Sequence, residues 1–327
     1  MDPITHALAG GLVARTGLSH RLLPPELERR GVIWTAAFSL APDLDAVSGF
    51  SNDPLAFLRY HRGFTHSILG GGVLAVILAL IFARLFPGVR RWRLLALTAT
   101  GVYLHILLDL MNSYGTVLLY PFRATRYTLD WLFTIDPTFT GILLGAVLAV
   151  YLLRRAPRLV AKVGIVLAGS YILLCGALQW HARQAIAAEA VAQDIGGIRR
   201  ISALPEPFVP LKWTGIVETS DTYYQAHLEL GNGTSATIRF AEVPKITPGA
   251  SRQALSAVTR QPLREQAQLY DWFARFPVIT VEREPGGQLV RFYDLRFDLP
   301  GLGPNRRPYL FTVRLDAAGK VVETKLK

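Results

Sequence analysis

An imidazole and a carboxylate stand four residues apart, at His105 and Asp109, within an otherwise apolar stretch. Residues i and i+4 share one face of an α-helix, so both side chains can reach the same metal ion. A polar pair or a proton relay is the alternative interpretation. An ionised aspartate that faces lipid costs about 2.5–3.5 kcal/mol, and a bound cation or an interfacial position would offset that cost. The spacing therefore favours a pair of metal ligands.

A second histidine pair, His61 and His66, directly precedes another apolar stretch. Residues five positions apart do not share a helix face, so at least one of the two rings must project from a turn. Thr65 fits an N-cap, which would place His66 at the start of a helix. Arg62 could bind a phosphate oxygen through its fork of donors, or it could anchor the chain at the membrane interface. Two interfacial histidines are also compatible with ordinary polar residues.

Two carboxylates, Asp43 and Asp45, follow Pro42 at the end of a short apolar segment. Such a pair can flank two metal ions, or one can be a ligand and the other a general base. A solvated loop after a helix end is the alternative. His6 lies in the first apolar segment, where it is either a buried core residue or a further ligand.

Asp130 and Asp136 precede the next long apolar segment. Asp136 stands directly before Pro137, which fits the start of a helix, because a carboxylate is favoured there by capping and by the helix dipole. Asp130 fits a polar surface position. A ligand role is the alternative for both carboxylates.

The apolar segments predict the helices that must position these groups. A membrane-spanning helix needs about 20 mostly apolar residues. Two shorter segments are rich in Ala and Gly, which lets helices approach closely in a membrane, and we expect them to pack into the bundle. The four predicted spans are Ser67–Ala83, Leu94–Leu108, Thr138–Leu153 and Val163–Trp180, and the two short helices are Pro3–Ala14 and Gly31–Pro42.

Arginine-rich loops at residues 15–30, 84–93 and 154–162 predict the cytoplasmic side of the membrane. Residues 41–66, residues 109–137 and the chain beyond residue 180 then lie on the opposite, non-cytoplasmic side. Scattered polar residues have no reason to gather at one face, whereas a shared site does. The groups that this topology brings to or near that face are His6, Asp43, Asp45, His61, His66, His105, Asp109, Asp130 and Asp136.

The chain of 327 residues carries a formal net charge of +11, with a pI near 10.0. The basic residues of the first half stand in short loops between apolar segments, so we expect the lipid bilayer as partner and no nucleic acid. Cys175 is the only cysteine, which excludes an intrachain disulfide and a cysteine-based zinc site. Met1-Asp2-Pro3 lacks the basic start of a signal peptide, so we expect the helices themselves to direct insertion.

The remainder of the chain predicts a helical connector at residues 181–199 and a mainly β domain at residues 200–327. His181–Ile195 is Ala-rich and fits a continuation of the last span, whereas later segments alternate or are rich in β-formers. The predicted strands are Tyr223–Leu230, Thr237–Phe240, Val278–Arg283, Leu289–Phe297 and Tyr309–Leu315, with a terminal hairpin turning at residues 316–320 into Val321–Leu326. The predicted fold is an α-helical multi-span membrane domain, residues 1–180, followed by this smaller soluble β domain.

As an ordered set, four segments resemble the YdjM-like family of membrane-bound metal-dependent hydrolases, over about residues 1–155: Met1–Ala7, Ala41–Asp45, His61–Ser67 and His105–Asp109. That family is similar to zinc-dependent phospholipase C and the zinc single-strand nucleases. The resemblance implies a ligand set of His6, an aspartate from the 43/45 pair, His61 or His66, and His105 with Asp109. Those relatives also use a His-x-x-x-Glu helix and a free N-terminal amine, neither of which is recognisable here. Asp130 and Asp136 are the candidates to replace them.

Nitrogen and oxygen donors without thiolates suit zinc or manganese, and the number of candidate groups suffices for one to three ions. The predicted function is therefore a metal-dependent hydrolase of the inner membrane, acting on a phosphoester or lipid. In this prediction the catalytic residues are Asp45 and Arg62. One alternative is a transporter or proton relay that uses intramembrane His and Asp. Another is a membrane scaffold with a structural metal.

Overall fold

A computed structural model of the chain describes residues 1–51, 53, 55–231, 238–248, 263–299, 303 and 306–326. The chain forms two compact units. The first consists of residues 1–46, 62–179 and 207–210, and it is helical. The second consists of residues 47–61, 180–206 and 211–327, and it contains the β-strands.

In the part of the chain that the structure describes, eight α-helices precede the strands. Short π and 3-10 turns connect several of them, at Ala14–Leu18, Pro25–Leu27, Ala41–Phe50 and Phe64–His66. The helices are α1 (Pro3–Val13), α2 (Ser19–Leu22), α3 (Glu28–Phe38), α4 (Ala56–Tyr60), α5 (Ile68–Phe82), α6 (Arg91–Leu110), α7 (Pro137–Leu152) and α8 (Pro157–Ala192).

Side-chain caps explain where the helices near the candidate site begin. Asp136 accepts a hydrogen bond from the backbone N–H of Phe139 and precedes a proline at the first helical position, so the predicted start of α7 is confirmed. The prediction that Thr65 caps α5 is wrong. Ser67 is the cap, because its backbone is extended and its hydroxyl accepts from the N–H of Gly70.

Helices occur at all four predicted spans, and two of them are long and apolar enough to cross a membrane, α6 with 20 residues and α8 with 36. α5 passes that test only together with residues 56–66, from which it is bent by 73°. α7 has 16 residues and is shorter than a typical span. A crossing by α5 or α7 therefore stays a prediction.

One hydrophobic core cluster of the first unit forms where α1, α7, α8 and the end of α6 meet. Leu12, Leu108, Phe139, Leu143 and Cys175 are buried there together. Large apolar side chains on the opposite surfaces of α5, α7 and α8 are exposed. An apolar exterior around a packed core is the arrangement that a lipid environment favours.

The second unit contains two antiparallel four-stranded sheets, each with its strands in sequence order. A shared core that includes Ile216, Tyr223, Phe276 and Tyr293 joins the two sheets. The first sheet consists of β1 (Arg200–Pro205), β2 (Lys212–Glu218), β3 (Thr222–Glu229) and β4 (Ala241–Pro244), and the second, after helix α9 (Leu263–Phe273), of β5 (Pro277–Glu284), β6 (Gly287–Asp294), β7 (Phe311–Asp316) and β8 (Val321–Leu326).

Most predicted strands and the terminal hairpin are confirmed, as is the helical continuation of the last span as far as Ala192. Of the predicted strand Thr237–Phe240, Thr237 lies outside the described residues and residues 238–240 form no strand. Strands β1, β2 and β4 and helix α9 were not predicted. α4 and its neighbours belong to this unit, because Leu55 and Leu58 are fully buried and Phe57 stacks on Tyr309.

Candidate metal centre

Four side chains from three elements converge inside the first unit, with His105 and Asp109 both on α6. The Nε2 atoms of His66 and His105 lie 3.0 Å apart. Oδ1 of Asp43 lies 3.3 and 3.4 Å from these two nitrogens, and Oδ2 of Asp109 lies 3.5 and 3.4 Å from them. The two histidines and Asp109 are fully buried, whereas the side chain of Asp43 is 21% exposed. These four groups could hold a metal ion together.

The spacing of these atoms fits a tetrahedral ion. Zinc bonds to nitrogen and oxygen of roughly 2.0–2.2 Å place neighbouring ligand atoms of a tetrahedron about 3.3–3.6 Å apart. The five measured distances, from 3.0 to 3.5 Å, lie close to that range. The donor set of two imidazoles and two carboxylates suits zinc or manganese.

The contacts on the far side of the two imidazole rings direct their Nε2 atoms at a common point. Nδ1 of His105 lies 2.7 Å from the backbone oxygen of Ser39, which can only accept, so Nδ1 carries the proton. Nδ1 of His66 lies 3.1 Å from Oδ2 of Asp45. The Nε2 atom of each ring faces the centre. An imidazole whose Nδ1–H is held by an acceptor can offer its Nε2 to a metal ion, so this orientation fits a pair of metal ligands.

Asp45 lies behind His66, on the side away from the other imidazole. Its Oδ2 also accepts hydrogen bonds from the Thr65 hydroxyl at 2.6 Å and from the backbone N–H of Arg62 at 3.1 Å. A carboxylate in this position orients a metal-binding histidine and raises its basicity. The structure thus gives Asp45 a positioning contact, and its predicted catalytic role stays a prediction.

Arg62 is buried and directs its guanidinium at Asp109. Its Nη2 and Nε each lie 2.9 Å from one oxygen of that carboxylate, and Nη1 donates to Oδ1 of Asn112 at 2.9 Å. The guanidinium also lies 4.5 Å from the ring centre of Tyr114. The sequence suggested that the guanidinium of Arg62 could bind a phosphate. In the structure, its donors contact the carboxylate of Asp109 instead.

His6 lies next to the four groups. Its ring stacks on that of His105, with centroids 3.7 Å apart, and its Nε2 lies 3.3 Å from Oδ1 of Asp109. His6 is fully buried, and neither ring nitrogen makes a hydrogen bond within the described residues. Such orphaned groups are uncommon in folded proteins, which favours a ligand role for this ring. The amino nitrogen of Met1 also contacts Asp109, although the sequence showed no recognisable N-terminal ligand.

Besides His6, three further predicted ligands lie outside the four-residue group. Asp136 caps α7, and its two oxygens accept hydrogen bonds from the hydroxyl of Tyr171 at 3.2 and 3.0 Å. Asp130 is buried and hydrogen-bonds the hydroxyl of Thr128. His61 belongs to the second unit, where its ring stacks on Phe57. Metal roles for Asp130, Asp136 and His61 would require further ions and stay predictions.

The sequence interpretation missed three groups that hold the site together. Ser39 orients His105 through a backbone oxygen, which no side-chain pattern reveals. Thr65 donates to Asp45, and its position directly before His66 was the available signal. Asn112 stands three residues after Asp109, just beyond the end of α6 at Leu110, and its closeness in sequence to the predicted ligand was the available signal.

Comparisons with known proteins concern the region that contains this site. The family model of the YdjM inner membrane protein matches residues 1–182. The chain is 33% identical over 181 residues to the uncharacterized protein YfhP of Bacillus subtilis (strain 168), an alignment that covers 54% of this chain and about half, 52%, of that protein. It is 30% identical over 132 residues to the inner membrane protein YbcI of Escherichia coli (strain K12), covering 39% of this chain and 72% of that protein. No solved structure matches. Since the family model matches more than half of its residues, the chain belongs to the YdjM inner membrane protein family.

Proposed function

We propose that this protein is a membrane-bound metal-dependent hydrolase that acts on phosphoesters, with zinc as its ion. The observation that carries the proposal is the pair of Nε2 atoms, 3.0 Å apart, on two rings whose Nδ1 atoms are both held by acceptors. Asp43 and Asp109 complete a four-ligand set around the same point.

Each neighbouring residue has a role in keeping this set in place. The Ser39 backbone oxygen and Asp45 hold the two imidazoles in the orientation and tautomer that bind a cation. The guanidinium of Arg62 contacts both carboxylate oxygens of Asp109. When bound, a divalent ion would activate a water molecule and offset the charge that develops on phosphoryl oxygens.

The partial exposure of Asp43 identifies the open side of the site. The other three ligands are fully buried, so water and substrate reach the centre past Asp43. In the predicted topology this opening faces the non-cytoplasmic side, where envelope phosphoesters and lipid head groups are present. Membership in an inner membrane family and the resemblance to phospholipase C support a substrate in or near the bilayer.

The test uses the purified full-length protein and measures bound metal and turnover together. We expect the wild-type chain to bind zinc and to hydrolyse members of a panel of phosphodiesters and phosphomonoesters. His105→Ala and Asp109→Asn should lose both the metal and the turnover. His181→Ala, which removes an exposed histidine on α8, should retain both.

Two results would contradict the proposal. Turnover that persists in a metal-free Asp109→Asn protein would show that the ion is not needed for hydrolysis. Stoichiometric metal without turnover of any phosphoester in the panel would leave the ion with a structural role.

A further inference from the structure

A groove of 730 Å³ lies among α1, α3 and α7, apart from the candidate metal centre. Its walls are mostly apolar and include Leu8, Leu12, Val32, Val147 and Val150. None of the four residues of the metal centre lines it. A groove of this size and polarity on a membrane protein fits a hydrocarbon chain.

Arginines surround one end of the groove. Arg15, Arg29 and Arg154 line the groove itself, and an adjoining pocket of 370 Å³ adds Arg155 and Arg158. These five residues come from the segment after α1, the start of α3, the turn between α7 and α8, and the first turn of α8, so the fold gathers charges that are distant in sequence.

Among the described residues that line the groove or the adjoining pocket, Glu28 of the adjoining pocket is the single acidic one. Its carboxylate pairs with Arg15 and Arg158, each at 3.2 Å. Arg29, Arg154 and Arg155 are exposed, and no ion pair within the described residues engages them. The mouth of the groove therefore carries a large excess of positive charge that an anion can neutralise.

We propose that this groove binds an anionic phospholipid, with an acyl chain along its apolar walls and the head-group phosphate among Arg29, Arg154 and Arg155. Basic pockets between membrane helices recognise anionic head groups in this way, and guanidinium forks match phosphate geometry. A second groove of 780 Å³, between α5 and α6, provides the contrast, because it is lined by apolar and aromatic residues and Gly72, without a charged side chain. We therefore expect this second groove not to distinguish phospholipids by the charge of their head groups.

The test compares phosphatidylglycerol with phosphatidylcholine of identical acyl chains, using full-length protein in detergent and native mass spectrometry of the bound lipid. We expect wild-type protein to prefer phosphatidylglycerol. The double variant Arg29→Gln/Arg154→Gln should bind it roughly 30-fold more weakly, because each basic residue near an anionic lipid contributes on the order of a fivefold factor. Glycerol phosphate, which lacks acyl chains, should not displace the lipid.

The matched control is Arg84→Gln/Arg91→Gln, which removes two exposed arginines beside the α5–α6 turn, outside the groove. It should keep the wild-type preference. Equal binding of both lipids to wild-type protein would overturn the proposal, as would equal losses in the two double variants. Displacement by glycerol phosphate would reassign the site to soluble phosphates. The wild-type comparison decides the outcome even if a variant fails to fold.

Discussion

At the residue scale, the candidate centre depends on the contacts that lie behind its ligands. An imidazole offers a lone pair to the centre only when its other nitrogen is held as a donor. Ser39 and Asp45 provide the two acceptors, one from the backbone and one from a side chain. Of the two, only Asp45 can be changed by a simple substitution.

Asp45→Asn should weaken zinc binding by roughly 10- to 100-fold, because the amide is a poorer acceptor for Nδ1 of His66 and removes the charge that raises the basicity of the ring. The measurement is the zinc affinity of purified protein in competition with a chelator of known affinity. Asp221→Asn, in the exposed turn between β2 and β3, is the control for loss of a carboxylate. An unchanged affinity in Asp45→Asn would show that Asp45 does not support the ligand.

A hydrogen-bonded pair in the first sheet makes the second unit sensitive to pH. Nδ1 of His227 lies 2.6 Å from Oε1 of Glu206, and this hydrogen bond raises the pKa of His227 above 6.5. Burial raises the pKa of Glu206, but the hydrogen bonds from His227 and Thr214 outweigh it and hold that pKa below 4.5. The stabilisation by His227 is lost as pH rises through its raised pKa, and that by Glu206 is lost as pH falls through its lowered pKa.

The pair should therefore stabilise the second unit most between pH 4.5 and 6.5, the ordinary pKa values of the two groups. His227→Gln should flatten this maximum, since a neutral amide does not titrate. The measurement is the urea midpoint of the β-sheet signal in circular dichroism, from well below pH 4.5 to well above pH 6.5, so that both flanks of the maximum are covered. His20→Gln, in the first unit, should leave the profile unchanged. A profile that is the same in His227→Gln and wild type would assign the pH dependence to other groups.

Some residue contacts could be predicted from spacing, and others could not. The shared face of His105 and Asp109 follows from helical periodicity, and it is confirmed by a distance of 3.4 Å between Nε2 and Oδ2. The contact between Arg62 and Asp109 joins residues that are 47 positions apart in the sequence. The backbone of Arg62 adopts the left-handed conformation, with φ of 58°. No residue pattern signals that conformation for an arginine.

At the element scale, glycines let backbones approach where the ligands are positioned. A Cβ built on Gly101 of α6 would lie 2.8 Å from Cβ of Phe38 and 3.0 Å from the backbone nitrogen of Ser39. The end of α3 can therefore rest against α6 only because Gly101 lacks a side chain. That contact places the Ser39 oxygen at His105.

Gly101→Ala should weaken zinc binding by about tenfold or more, because it pushes the Ser39 backbone away from His105. The affinity is measured as for Asp45→Asn. Gly141→Ala on α7 is the matched control, since a Cβ there meets no atom within 4 Å and alanine favours the helix. If both variants bind zinc like wild-type protein, the contact between α3 and α6 does not position the ligand.

The elements themselves could be predicted where their pattern was local. Apolar stretches predicted the helices, and alternation predicted β3, β5 and β7. The break before α5 was misplaced by two residues, because both Thr65 and Ser67 can cap a helix and only the fold selects Ser67. Strands β1, β2 and β4 were missed. The prolines around β1 and β2 resemble a loop, and the burial of these two strands depends on the facing sheet. Strand β4 has only four residues and ends at Pro244.

At the scale of the whole molecule, the two compact units are not separated by a single boundary in the sequence near residue 180. Composition separates the apolar region from the strand-rich tail, but residues 47–61 belong to the second unit. Their assignment depends on Leu55, Leu58 and Phe57, whose contacts with that unit are distant in sequence. Local composition does not reveal such contacts, so it could not assign residues 47–61 to the second unit.

The predicted topology places the arginine-rich turn before α6 and the turn between β2 and β3 on opposite sides of the membrane. Cysteines introduced as Arg90→Cys and Ser220→Cys report on these two turns. Cys175 is 1% exposed and the only natural cysteine, so a Cys175→Ala background should leave each new thiol as the single target. We expect an impermeant maleimide to label Ser220→Cys in spheroplasts and Arg90→Cys only in inverted vesicles. Labelling of both from one side would contradict the predicted orientation.

The buried pairing of Arg62 with Asp109 has a consequence for how this protein matures. A carboxylate enclosed without a counterion destabilises a folded chain by several kcal/mol, and the guanidinium supplies that counterion from within the sequence. We therefore expect the helices to assemble around Asp109 before any ion arrives. Metal binding would then follow membrane insertion and folding, and neither of these steps would require the ion.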